Sequence, residues 1–211
     1  MPEPVVASAS ETLRDAEEHL RLIRSVMERS TRYSTFSGYS GILVGATCAV
    51  GSGLQALADR HGPDSGAFLL RWFCVSLVCL LIDLALTKRR AAQVGKSIVS
   101  HLGRQMAGAA GPALAAALAI TVLLVRRWLF VETYLVWSLC YGAAVCAVGL
   151  LSQRDVTALG ISFVVAGLIG GFIVLLGPAE LPGAGGPIFI ACTFGLFHVA
   201  YGIRVARRDG W

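Results

Sequence analysis

Asp83 and His198 are the residues of this 211-residue chain best placed to do chemistry. Each stands in a stretch otherwise apolar enough to lie in hydrocarbon, where an ionisable side chain is costly and marks a functional position. Asp83 precedes Lys88 by five residues and His198 precedes Arg204 by six. At the rise of an α-helix this puts them roughly 7 and 9 Å inside the ends of their stretches. Ser76, Cys79, Asp83 and Thr87 recur at spacings of three and four and form one polar stripe. His198 lies between Gly195 and Gly202, on the small face of its own stretch. Their similar depth suggests a shared polar centre, formed directly or through one water. The alternative is that backbone carbonyls or hydroxyls satisfy each separately. His198 is also the candidate axial ligand for a haem or pigment; no cofactor is otherwise implied. A bis-histidine haem needs a second ligand, and His19, His61 and His101 all fall outside the apolar core.

The other reactive residues carry less. Arg71 is about one turn from the end of its stretch and Glu132 opens another near Arg126 and Arg127, positions suited to interfacial anchoring. All six cysteines fall inside apolar stretches, as small packing residues rather than a disulfide framework or zinc site. Gly95-Lys96-Ser97 matches the end of a phosphate-binding loop, but Arg90 stands where the first glycine is required and no strand precedes it. No Ser/His/Asp set, paired carboxylates, metal-ligand spacing or cofactor loop is visible. The reading therefore leans away from an enzyme.

The elements that must position Asp83 and His198 are six apolar spans, read at 35–57, 67–87, 105–125, 131–151, 156–176 and 187–204. The chain is 55% hydrophobic and 15% charged, and about 20 apolar residues suffice to cross a bilayer. The fold class expected is all-α, a polytopic membrane bundle of six transmembrane helices. Basic residues fall on alternate sides. Fourteen, from Arg14 to Arg32, Lys88 to Arg104, at Arg154 and from Arg204 to Arg208, share the side of the termini; Arg60, Arg71, Arg126 and Arg127 lie opposite. This bias places both termini in the cytoplasm of an inner (plasma) membrane. It also accounts for the net charge of +5 as topology and lipid attraction, not nucleic-acid binding. Residues 1–33 then form a cytoplasmic segment, 34–204 the bundle and 205–211 a short basic tail. No apolar run precedes residue 34, so a cleaved signal peptide is not expected.

Ser8 and Glu11 make a capping-box start for a helix over 8–32. Leu13, Ala16, Leu20, Ile23 and Met27 then form an a/d stripe of about two heptads. The 1–32 segment has five Arg against six acids, too balanced for a helix lying on anionic lipid. Leu13, Leu20, Ile23 and Met27 are therefore the expected contacts with a partner or a second copy. Within the bilayer, small residues permit close helix approach. Gly41 and Gly45 in the first span, Gly167 and Gly171 in the fifth and Gly195 in the sixth are the expected packing positions. They suit a compact bundle, a homo-oligomer or part of a larger membrane complex. Pro112 is expected to bend or soften the third helix.

Three segments, ERSTRYSTFSGYSGILVG (28–45), VWSLCYGAAVCAVGLLSQRDV (136–156) and GLFHVAYGIRVARR (195–208), resemble a group of small bacterial six-helix integral membrane proteins. The resemblance implies that His198 belongs to a recurring pattern of the last helix and carries no activity with it. The functional expectation is a non-enzymatic scaffold, sensor or accessory subunit. A small-solute transporter or channel and a haem- or pigment-binding protein are the alternatives.

Overall fold

The computed structural model describes Arg14 and residues 17–20, 37–62, 64–93, 101–177 and 185–209. The chain divides into two units, Met1–Tyr33 and Ser34–Trp211. In the first, the described residues are helical and Leu20 is exposed. Leu13, Ile23 and Met27 lie outside the described residues.

The second unit is helical throughout its described length, with no strand among the described residues. Its helices are α1 (Gly38–Ala58), α2 (Ser65–Gln93), α3 (His101–Arg126), α4 (Phe130–Leu150) and α5 (Arg154–Leu176). The sixth, α6, comprises Gly185–Ile190, a π-helical turn over Ala191–Phe197, and His198–Asp209. All six are long and apolar enough to cross a membrane. Most junctions are short and carry their own stops and starts. Asp64 caps α2, its Oδ1 accepting from the backbone of Gly66 at 2.8 Å and Ala67 at 3.1 Å. This satisfies donors that the first helical turn leaves without partners. Between α3 and α4, the Leu129 amide bonds the Leu124 carbonyl and the Trp128 amide bonds that of Val125. Trp128 takes the left-handed conformation (φ 61°) that such a helix end requires.

The spans agree with expectation to within a few residues, and the basic loop from Lys88, expected to continue as a short amphipathic helix, is helical where it is described. There α2 continues through Lys88-Arg-Arg-Ala-Ala-Gln93 and α3 begins at His101. Lys, Arg, Ala and Gln are good helix formers, so leaving hydrocarbon does not stop the helix. Pro112 sits on an exposed face and α3 continues through it.

The most extensive packing joins α5 to α4, followed by α3 to α4. On the other side α1 lies against α6 and α2. Helices α2 and α3 do not pack along one another. Instead α2 touches the α3–α4 pair at one end, where Phe68 meets Phe130 and Tyr134 and Trp72 meets Tyr134. The backbone crossings are set by glycine. A Cβ on Gly45 would come within 2.5 Å of the Gly195 carbonyl, and one on Gly202 within 2.5 Å of the Gly38 carbonyl. Gly41 meets the Gly202 Cα at 3.0 Å by the same measure, and Gly142 and Gly160 exclude each other across α4 and α5.

Gly167 lies against the Leu139 side chain. Gly171 is different: a Cβ there meets nothing within 4 Å. The contact line along α5 runs Gly160, Phe163, Gly167, Gly170, with Leu135 and Phe189 against Gly170. Alternating steps of three and four are the seam of two nearly parallel helices, and Gly171 falls one residue beyond it.

Candidate functional site

All six helices contribute to the lining of a cavity of about 970 Å³, α5 through Val156 and Leu159. Its walls are mainly apolar, with Leu114 and Leu118 from α3, Val75 and Leu80 from α2, and Val145 from α4. Because α2 and α3 do not pack along each other, the wall between them is the thin one. One end is closed by Phe68, Trp72 and Tyr134, with the Trp72 indole N–H donating to the Tyr134 hydroxyl at 3.2 Å. Toward the end of the bundle that holds the start of α1, the lining becomes polar: Ser40, Asp83, Tyr141, His198 and Tyr201.

Asp83 and His198 both line this cavity, and their bonding differs. His198 is buried, held by Gly195 and Gly202 where α6 crosses α1. Its Nδ1 lies 2.8 Å from the Phe194 carbonyl. A carbonyl only accepts, so Nδ1 carries the proton, and in the neutral ring Nε2 accepts from the Tyr141 hydroxyl, also at 2.8 Å. The Phe194 carbonyl belongs to the π-helical turn; such turns are rare and recur at functional sites. Rings enclose the pair: Phe163, fully buried, lies 5.0 Å from Tyr141, 4.7 Å from Phe194 and 5.4 Å from His198 between ring centroids.

Asp83 is within hydrogen-bonding reach of the Ser40 hydroxyl. That hydroxyl has one proton, and it is directed to the Ser37 carbonyl at 2.8 Å. Among the described residues no Lys or Arg pairs with Asp83. One turn away, Cys79 lies against Cys48 of α1 with sulfurs 3.7 Å apart, both free thiols on the cavity wall. The expectation that the cysteines serve packing did not identify this pair, because the two are 31 positions apart and only the α1–α2 contact brings them together. Among the described residues no group of His, Cys, Asp and Glu is arranged to hold a metal ion.

The remaining ionisable residues inside the spans are tied at the helix ends. Arg71 donates to Gln55 Oε1 at 2.9 Å, and Gln55 passes the contact on to Asp59 at 2.6 Å. Gln55, an amide inside α1, is the member of this relay that carries no charge to mark it in the sequence. Glu132 lies in the first turn of α4, where a carboxylate suits the helix dipole. At the opposite end Asp155, in the first turn of α5, receives Arg204 at 3.1 Å and also Arg208, which bonds Gln153 as well.

Tyr141→Phe is expected to cost about 1–3 kcal/mol, since it strands a buried ring nitrogen while conserving shape. Thermal denaturation in detergent measures it. A loss within about 0.5 kcal/mol, the usual range of a surface substitution, would mean that the Tyr141–His198 bond does not form.

No family model matches the chain, no curated protein matches it in sequence, and no solved structure matches it.

Proposed function

We propose that the bundle is a membrane-embedded sensor or accessory protein that binds an apolar molecule entering from the bilayer between α2 and α3. The cavity carries this reading. It is of the size of small-molecule sites, apolar with a few convergent polar groups, and its thin side faces hydrocarbon. A small-solute transporter is the second reading, and the aromatic closure by Phe68, Trp72 and Tyr134 speaks for the first. Haem or pigment ligation would use the His198 Nε2 that bonds Tyr141, so it would have to displace an existing partner. In the favoured reading the helix predicted over 8–32 transmits occupancy to a partner or a second copy. The bias of basic residues puts both termini on the cytoplasmic side of the inner membrane.

The test uses a neutral trifluoromethyl-phenyl diazirine, which labels whatever hydrocarbon it reaches. Irradiated with the protein in lipid nanodiscs, it is expected to form adducts on Tyr141, Val145 and Leu114 of the cavity, saturably. Adducts confined to outward residues such as Leu81, Leu168 and Phe172 would overturn the proposal.

A further inference from the structure

We infer that the cavity selects organic cations with an apolar body, with Asp83 as the counter-charge. The inference rests on the reading of the cavity as a ligand site and adds its chemical class.

Three observations support it. The first is the sign of the lining. Among the described residues that line it, Asp83 is the one carboxylate and there is no Lys or Arg. The second is the bonding of Asp83. An ionised carboxylate accepts at about four lone-pair positions, and the Ser40 hydroxyl within its reach already donates to the Ser37 carbonyl. Asp83 is half-buried, and a carboxylate drawn out of water holds its charge best beside a cation; among the described residues the protein supplies none. The polar neighbours do not replace one. In the neutral His198 ring the Nδ1 proton goes to Phe194 and Nε2 takes the Tyr141 proton, so neither group has a proton to spare for Asp83 and only the Tyr141 oxygen keeps acceptor lone pairs. The third is the company of rings. Trp72, Trp137, Tyr134, Tyr141 and Phe194 line the same space, and aromatic faces attract cations most when both are out of water.

An anionic or purely acceptor-bearing head group would face Asp83 with repulsion. A neutral hydrocarbon would fill the apolar part and leave Asp83 as it is. A delocalised or alkylated ammonium or phosphonium enters hydrocarbon at tolerable cost and answers both features.

Tetraphenylphosphonium is the probe, with neutral tetraphenylsilane and anionic tetraphenylborate as shape-matched comparisons. Each competes with the diazirine for the Tyr141 and Leu114 adducts on the full-length protein in nanodiscs. Tetraphenylphosphonium is expected to protect those positions at concentrations at least about 30-fold below tetraphenylsilane, and Asp83→Asn to weaken that protection by a similar factor. Asp83→Asn should still take up the diazirine at Tyr141, which shows that the variant folds; Asp83→Glu should retain part of the preference. Equal protection by cation and silane, indifference to Asp83→Asn, or preference for the borate would overturn the inference while leaving the cavity reading intact. Absence of interior adducts in the unsubstituted protein would overturn both.

Discussion

Gly45→Leu is expected to abolish the folded bundle, while Gly171→Leu leaves it intact. At Gly45 even the first side-chain atom would lie 2.5 Å from the Gly195 carbonyl and 2.9 Å from the Val199 amide nitrogen. Backbone atoms cannot swing aside as the tip of a flexible side chain can. Relief requires moving α6 away from α1, and that separates the two helices that hold Ser40 and His198. Overpacking in a tight core typically costs about 1–3 kcal/mol; with backbone on the other side, Gly45→Leu should exceed the upper figure. Gly45→Ala should already fall within it. Gly171 meets nothing within 4 Å, so its substitution acts only through helix propensity, and Gly171→Ala should stabilise by about 0.5–1 kcal/mol. Thermal midpoints of the monodisperse peak in detergent read both. Equal effects at the two positions would refute the crossing geometry.

Phe163→Ala is expected to cost about 3 kcal/mol, the lower end of the range for truncating a buried Phe. In a bilayer the side chain leaves hydrocarbon neither when folded nor when the helices separate, so little is lost by transfer. What is lost is contact. Phe163 packs against the rings of Tyr141, Phe194, Phe197 and His198 at centroid distances of 4.7–5.5 Å, and removing it leaves a hole where three helices meet. Phe172→Ala, on a side chain 61% exposed, removes the same atoms from the lipid-facing surface and should stay within about 0.5 kcal/mol. Comparing the two in mixed-micelle denaturation separates packing from composition. A loss at Phe163 no greater than that at Phe172 would mean that the cluster is not closely packed.

Much of the architecture was legible because it depends on local quantities. A span is a property of twenty consecutive residues, and all six emerge within a few positions of their observed ends. That α2 runs on to Gln93 was legible from the helix-forming residues after Lys88 and not from hydropathy, which marks where a helix leaves the membrane rather than where it stops being helical. The site was legible by half. Asp83 and His198 could be picked out because a charge in an apolar run is visible in one dimension. Tyr141 could not, since a tyrosine in a span is unremarkable until α4 is set beside α6, 57 positions later in the chain. The pairing of Cys48 with Cys79 depends in the same way on which helix lies next to which. Gly167 and Gly171 were indistinguishable in sequence for a related reason: which glycine faces a neighbour depends on how steeply two helices cross, and that angle is a property of the pair.

The π-helical turn in α6 has a consequence for how this helix tolerates change in length. Every residue removed from a helix turns all that follows by about 100°. Upstream of the turn, Pro187 and Ile190 are buried in the bundle; downstream, Gly202 must face α1 while His198 faces Tyr141. The widened turn at Ala191–Phe197 sets the phase between these two halves. Deleting Leu196 would keep every buried side chain and yet rotate the second half so that Gly202 no longer meets Gly38 and His198 no longer points at Tyr141. In this helix the number of residues between two contacts is constrained more tightly than the identity of those in between.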